Sequence, residues 1–213
     1  MRVSIRQFRR LAAGVDELHR SGMKSFAVEA ADLHRDLYRT GGGSAGLDDQ
    51  TIAGYAQSVE LAAVAAYQAA APALSAGTLP VAELFMSHHQ QHADAFGAVA
   101  GARAVTAPNA ALIAAVSPAL QAITDEMGAL EFAFVLENQA AYTYAAALTL
   151  LQDPAYAAAT STILPIEAQH AVVLGLALGK DVSAVFPTGA FESSSLGDGS
   201  DPLKGLDPAV FAA

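Results

Sequence analysis

The sequence predicts an all-α protein, namely an antiparallel four-helix bundle with an N-terminal helical extension and an irregular C-terminal tail. Apolar side chains recur at helical spacing through most of the 213 residues, and no segment alternates apolar and polar residues as a half-buried strand does. Hydrophobic residues make up 53% of the chain, and many are alanine, which has the highest helix propensity. Stretches that contain glycine or proline separate the periodic segments.

Two segments lie outside the predicted bundle. Residues 1–46 form an N-terminal extension and linker, in which apolar positions recur at helical spacing and Gly14 and Gly22 are candidate breaks. Residues 40–46 are interpreted as a flexible linker, because no Gly-Lys-Ser/Thr of a phosphate-binding loop follows them. The extension is expected either to cover the bundle or to form a homodimer contact. The tail, residues 180–213, is rich in Gly, Ser, Asp and Pro and is expected to be irregular.

Residues 47–179 are predicted to contain the four long helices of the bundle. Asp48 is suited to cap the first helix, and Gly179 is suited to end the fourth. Ser117-Pro118 combines a cap residue with a proline at the first helical position, so it is expected to open the third helix after a short helix around 107–117. The four predicted helices span residues 48–73, 80–101, 118–152 and 154–179.

Charge and composition exclude several classes of function. The formal net charge is -10, and the charges are uneven: residues 1–40 carry a net +3 and residues 41–213 a net -13. The chain therefore has no basic stripe that could replace the counterions of a nucleic acid, and no nucleic-acid partner is expected. The absence of cysteine removes disulfides, thiolate catalysis and thiolate metal sites.

The N-terminal sequence bears on where the protein resides. No apolar run approaches the roughly 18 residues that span a bilayer, so no membrane span is predicted. The pair Arg9-Arg10 is a feature of export signals, but the charged stretch 15–20 follows where such a signal needs an apolar segment. We therefore expect a cytoplasmic protein whose N-terminus belongs to the mature structure.

An internal repeat is the most informative feature of the sequence. The first and third predicted helices each place a tyrosine seven residues after a glutamate. The second and fourth each place a histidine three residues after another candidate ligand, which is a histidine in the second helix and a glutamate in the fourth. Corresponding positions in the two hairpins are 77 or 78 residues apart, in the same order. The repeated positions are Glu60, Tyr67, His89 and His92 in one hairpin, and Glu137, Tyr144, Glu167 and His170 in the other.

The repeat predicts a metal site. At a rise of about 1.5 Å per residue, the acidic and histidine positions stand about 20–25 Å from the turn of each hairpin, so they reach the same level. A spacing of three places two side chains on one helix face, so two packed hairpins collect all six in the bundle interior. Buried carboxylates are unfavourable unless they are paired or bind metal, and carboxylate with imidazole suits iron, manganese or zinc. The six candidate ligands are Glu60, His89, His92, Glu137, Glu167 and His170.

These residues resemble the ferritin-like superfamily of dinuclear carboxylate proteins, and most closely its group of bacterial proteins of unknown role and plant desiccation-related proteins. The resemblance covers residues 48–179. In the family pattern two helices supply one glutamate each and two supply Glu-x-x-His. Glu60 and Glu137 match the single glutamates, Glu167 and His170 match one Glu-x-x-His, and His92 matches the histidine of the other.

His89 stands where the family pattern has glutamate. The resemblance therefore implies a modified centre with three carboxylates and three imidazoles: a dinuclear site, a single metal ion, or a decayed site. The first functional hypothesis is a metal-binding protein with a modified dinuclear iron or manganese site, which if active is an oxidoreductase that uses oxygen or peroxide. The alternative is a structural or stress-associated helical bundle with a vestigial site. An iron-storage shell is disfavoured, because the sequence gives no sign of a surface built for high-order assembly.

Four further aromatic side chains receive separate interpretations. Tyr67 and Tyr144 could donate electrons or hydrogen bonds to a metal centre, but core tyrosines with satisfied hydroxyls are favoured. His88 points about 100° away from His89 and is interpreted as a surface group or as a support for the ligands. His19, in the N-terminal extension, is expected on a solvated face.

Overall fold

The computed structural model describes residues 3–40, 48–148 and 150–181, and its regular structure there is entirely helical. This confirms the all-α prediction. Short 3-10 turns follow two of the helices, at Ala71–Ala73 and Gly101–Arg103. The six α-helices are α1 (Ile5–Thr40), α2 (Asp49–Ala70), α3 (Leu79–Ala100), α4 (Ala110–Gln121), α5 (Glu126–Ala147) and α6 (Pro154–Leu178).

Two antiparallel hairpins form the bundle. Helix α2 packs against α3, and α5 packs against α6, because each pair is joined by a short connection. Helix α2 also contacts α5, and α4 lies against α2. Helix α1 packs along α6 and α3, so it covers one side of the bundle as a fifth long helix. The structure thus agrees with the covering role that the sequence left open for the extension.

Helix α1 runs without interruption through both candidate breaks, Gly14 and Gly22. A glycine at position 22 serves packing instead of a turn. A Cβ atom there would lie 3.1 Å from the backbone oxygen of Thr162 in α6, which is tighter than ordinary contact. At Gly14 nothing lies within 4 Å of the same position. The absence of a side chain at Gly22 therefore lets α1 approach α6 closely.

The predicted start of the third bundle helix was wrong. Pro118 lies inside α4, and the third bundle helix, α5, begins at Glu126. Helix α4 begins earlier because the Asn109 side chain accepts a hydrogen bond from the backbone N–H of Leu112 at 2.9 Å. Asp125 does the same for α5, where it accepts from the backbone N–H of Gly128 at 2.8 Å.

The third bundle helix also ends earlier than predicted. Helix α5 stops at Ala147, and the predicted end was residue 152. The Asp49 carboxylate at the start of α2 accepts hydrogen bonds from the backbone N–H groups of Gln152, at 3.0 Å, and Asp153, at 2.7 Å. Those two residues are consequently held in the connection to α6.

The predicted caps of the first and fourth bundle helices are confirmed. Asp48 accepts from the backbone N–H of Thr51 at 2.7 Å. Gly179 ends α6 in the left-handed conformation, with φ 75°, and the N–H of Lys180 bonds to the carbonyl of Gly175 at 2.9 Å. The predicted linker, 40–46, has only Thr40 among the described residues, and the predicted tail has only residues 180 and 181 there.

Helix α6 is long and apolar enough to cross a membrane by length and composition alone. It is the one helix of the described ranges that passes this test, which core helices also pass. In this fold α6 packs against α5 and α1.

Two apolar layers enclose a polar layer in the bundle. One layer is built around Phe8 and Phe85, and the other around Phe26 and Phe96. The polar layer lies between Phe85 and Phe96 along α3. A buried set of charged and polar side chains therefore sits at mid-height, sealed from water on both sides.

Candidate metal centre

The structure brings all six predicted side chains together in the polar layer. Each bundle helix supplies its part: α2 and α5 one glutamate each, α3 two histidines, and α6 a glutamate and a histidine. None of the six is more than 2% exposed. The cluster consists of Glu60, His89, His92, Glu137, Glu167 and His170, and its atoms lie close enough to hold metal in two overlapping groups of four.

Glu167 lies between two similar halves of the cluster. In one half its Oε1 lies 2.8 Å from His92 Nδ1, which is also 3.5 Å from Glu60 Oε1. In the other half its Oε2 lies 3.2 Å from His170 Nδ1, which is also 3.1 Å from Glu137 Oε2. The two halves thus repeat the same arrangement of one glutamate and one histidine on either side of a shared carboxylate.

His89 faces Glu167 across the cluster and connects the same two halves. Its Nδ1 lies 2.7 Å from Glu60 Oε2, and its Nε2 lies 3.1 Å from Glu137 Oε1. A carboxylate can bridge two cations, whereas a neutral imidazole offers one lone pair and binds one. The histidine at this position therefore removes one potential bridge and makes the two halves inequivalent.

Several buried polar atoms of the cluster have no hydrogen-bond partner among the described residues. These are both ring nitrogens of His92 and Oε1 of Glu167. His92 Nδ1 and Glu167 Oε1 approach to 2.8 Å but lack the alignment of a hydrogen bond. An unsatisfied buried polar atom is unfavourable by about 1–3 kcal/mol. Of these atoms, His92 Nδ1 and Glu167 Oε1 lie on the same side, and their residues belong to a group whose ligand atoms are close enough to hold one cation. The donor set therefore fits a bound cation.

The two repeat tyrosines belong to the cluster as hydrogen-bond donors. Tyr67, on α2, donates its hydroxyl to Glu137 Oε1, and Tyr144, on α5, donates to Glu60 Oε1. Both rings are buried. Each tyrosine thus orients the glutamate of the other hairpin, and the prediction of core tyrosines with satisfied hydroxyls is confirmed.

The cluster strongly perturbs its own titration when no metal is bound. Burial lowers the pKa of His92, but the charges of Glu60 and Glu167 outweigh burial and raise it to about 9. Burial likewise lowers the pKa of His89, while Glu167, Glu137 and Glu60 raise it well above its usual value. Burial raises the pKa of Glu60, but His92 and His89 bring it down to about 2. Imidazolium and carboxylate therefore neutralise each other in the metal-free cluster.

Sequence reasoning missed two buried histidines beside the cluster. His19, expected in solvent, is 1% exposed because α1 packs over α3 and α6, and it stacks on His88 with ring centroids 3.8 Å apart. His88 is also fully buried and contacts His170 at 2.9 Å, so its interpretation as a surface group was wrong. The spacing Asp16-x-x-His19 repeats that of Glu167-x-x-His170, and this signal could have identified the segment.

The geometry has a counterpart among known protein families. The family model of a ferritin-like domain matches residues 48–180. The chain belongs to this family. Neither the curated proteins nor the solved structures gave a match. The ferritin-like domain comprises α2 to α6, while α1, with Asp16 and His19, lies outside it.

Proposed function

We propose that this ferritin-like protein binds two transition-metal ions, iron or manganese, in the buried cluster, and that it acts as an oxidoreductase on oxygen or peroxide. The proposed ligands are Glu60, His89, His92, Glu137, Glu167 and His170. One ion would be held by the half that contains Glu60 and His92, and the other by the half that contains Glu137 and His170. Glu167, whose Oε1 and Oε2 face the two halves, would supply a ligand to either ion.

The single observation that supports this proposal best is the convergence of buried lone-pair donors that lack partners. His92 Nδ1 and Glu167 Oε1 have no hydrogen-bond partner among the described residues, and they lie 2.8 Å apart in a fully buried site. Three imidazoles with three carboxylates are the mixed donor set that suits iron, manganese and zinc. A second support is the ferritin-like family itself, whose members commonly use such a cluster to bind metal.

Redox-active metal ions bound here would supply electron transfer to oxygen or peroxide. The chain's own residues would hold and tune them. The hydroxyls of Tyr67 and Tyr144 keep the carboxylates of Glu137 and Glu60 aimed into the cluster. The apolar layers around Phe85 and Phe96 exclude bulk water, which strengthens every electrostatic interaction in the site.

One observation favours the alternative of a structural or stress-associated bundle with a vestigial site. His89 lies between Glu60 and Glu137 at 2.7 and 3.1 Å, so a protonated ring forms an ion pair with each carboxylate. A histidine cation at this place takes over part of the charge balance that a metal ion would otherwise provide. The metal-free bundle can therefore be stable without any bound cation.

Metal analysis of the full chain purified without chelator distinguishes the two functions. We expect about two equivalents of iron or manganese per chain, either as isolated or after anaerobic reconstitution. The variants Glu60→Ala and His170→Ala should lose metal while they keep their helical content. Glu131→Ala is a matched control, because Glu131 also lies on a bundle helix but is 50% exposed and pairs with Lys180.

Less than about half an equivalent of any transition metal after reconstitution would contradict the proposal. Thermal melting gives an independent reading. A metal ion that binds only the native state must raise the melting temperature. An unchanged melting temperature with added iron or manganese would favour the vestigial-site alternative.

A further inference from the structure

A row of three side chains leads from the cluster to the protein surface. His170 Nε2 lies 2.9 Å from His88 Nδ1, and His88 Nε2 lies 3.2 Å from Asp16 Oδ1. Both histidines are fully buried, whereas the Asp16 side chain is 30% exposed. Asp16 belongs to α1, which lies outside the ferritin-like domain. We call these three residues the Asp16–His88–His170 row.

The chemistry of the row fixes the direction of its hydrogen bonds. An ionised carboxylate only accepts, so its contact with His88 places a hydrogen on His88 Nε2. A neutral imidazole carries a single ring hydrogen, so His88 Nδ1 must accept, and the donor to it is His170 Nε2. By the same rule His170 Nδ1 donates a hydrogen to Glu137 and Glu167 in the metal-free chain. If a cation took the place of that hydrogen, the free lone pair would lie on Nδ1, because His88 accepts the hydrogen that stays on Nε2.

We propose that Asp16 and His88 are positioning residues for the metal centre: they orient His170 so that Nδ1 is its metal-binding atom, and they increase its strength as a donor. This inference rests on the proposed function, because it assigns a role to groups behind a proposed ligand. Partners of this kind on the distant nitrogen of a metal-binding histidine fix its tautomer, and their loss typically weakens metal binding about 10–100-fold.

His19 adds a packing contact to the row. Its ring lies almost parallel to that of His88, at an interplanar angle of 15°, and is tilted against that of His92 at 4.9 Å between centroids. It therefore restricts the rotation of His88 from one face. Helix α1, which supplies both Asp16 and His19, thus becomes part of the metal centre and not merely a cover for the bundle.

A separate cation site at Asp16, His19 and His88 fits the geometry less well, although the three residues lie close enough together to form one. In the row, His88 Nε2 carries a hydrogen and cannot also bind a cation. Stacked rings, moreover, direct their nitrogens along parallel planes instead of toward a common point. The same atoms therefore favour support of His170.

The test measures Co²⁺ affinity by visible absorption. It compares the unaltered full chain with the variants Asp16→Asn, Asp16→Glu and Glu17→Gln. Glu17 is the matched control, because Glu17 and Asp16 both pair with Arg20, at 2.8 and 3.1 Å, but Glu17 is 73% exposed. We expect Asp16→Asn to weaken Co²⁺ binding about 10–100-fold and to shift the bands of the saturated protein. Asp16→Glu should recover most of the affinity, and Glu17→Gln should bind as the unaltered chain does.

A second readout does not depend on metal. Long-range ¹H–¹⁵N NMR spectra of the metal-free chain report which ring nitrogen of each of the six histidines carries hydrogen. The expected result is His88 with hydrogen on Nε2. Hydrogen on Nδ1, or an Asp16→Asn variant with unaltered Co²⁺ affinity and spectrum, would overturn the inference. Failure of the proposed function would instead appear as an unaltered chain that binds no Co²⁺, and it would overturn the inference as well.

Discussion

His89 replaces the carboxylate that the ferritin-like pattern places at its position, and its two ring nitrogens face Glu60 and Glu137. Burial lowers the pKa of this ring in the metal-free chain, but three surrounding carboxylates raise it well above the usual value and so favour its cationic form. Metal ligands must be unprotonated, so binding at the cluster has to expel protons from imidazolium groups. On the proposed function, metal uptake and proton release are therefore coupled at the scale of single residues.

The coupling predicts that metal affinity rises with pH. The pKa of His92 is raised to about 9, so below about pH 9 each ion that binds there must displace a proton. Affinity should increase by about tenfold per pH unit for each proton released. Co²⁺ titrations at several pH values, with proton release followed by an indicator dye, measure this directly.

The same shift predicts how the metal-free chain melts. A raised histidine pKa stabilises the fold fully below the unfolded value of 6.5, and that contribution is lost as pH rises through about 9. The melting temperature of the metal-free chain should fall over this window.

A metal affinity that does not depend on pH between 6.5 and 8.5 would show that His92 is already neutral in the metal-free cluster.

Six positions of the candidate site could be predicted from the sequence because the chain contains an internal repeat. Glu60 and Glu137 recur in equivalent places of two hairpins, and hairpin geometry brings equivalent places to one level. His19 and Asp16 could not be placed in the same way. Their burial depends on how α1 docks against α3 and α6, and the hydrophobic pattern of one helix does not specify its partner.

At the scale of elements, the contact between α1 and α6 holds the row of supporting residues in position. Gly22 allows this contact, because any side chain there would press on the backbone oxygen of Thr162. Gly14 lies on the same helix, two turns earlier, and has open space around it. The two glycines therefore separate the effect of helix propensity from that of close packing.

The glycines predict opposite outcomes for the same substitution. Gly14→Ala should stabilise the chain by about 0.5–1 kcal/mol, because alanine loses less backbone entropy in a helix. Gly22→Ala should lose that gain and destabilise the chain, because a backbone oxygen 3.1 Å from the new methyl group yields less readily than a side chain. Urea unfolding of the metal-free variants measures both. Equal stabilisation by the two substitutions would mean that α1 does not pack closely on α6 at this point.

Helix boundaries show where local sequence signals compete. Ser117-Pro118 has the residues of a helix start, yet α4 begins earlier, after the Asn109 cap, and Pro118 lies inside α4. The end of α5 depends on Asp49, which is about a hundred positions away in sequence and binds the backbone of the following connection. A cap formed by a distant side chain leaves no local signal, so this boundary could not be predicted.

At the scale of the whole molecule, the fold is a ferritin-like bundle with one added long helix. The bundle supplies a sealed polar layer, and α1 supplies a connection from that layer toward the surface at Asp16. The antiparallel four-helix arrangement followed from periodicity and the repeat. The position of α1 along α3 and α6 could not be predicted in this way, because its apolar face would be buried either by covering the bundle or by forming a dimer contact.

The central claim, that the buried cluster binds two metal ions, is tested most directly by anomalous X-ray diffraction from crystals loaded with iron or manganese. The account predicts two anomalous peaks about 3–4 Å apart, with Glu167 between them, one beside Glu60 and His92 and the other beside Glu137 and His170. Crystals of a chain shown to be loaded with metal that have no peak within about 2.5 Å of these side chains would contradict it.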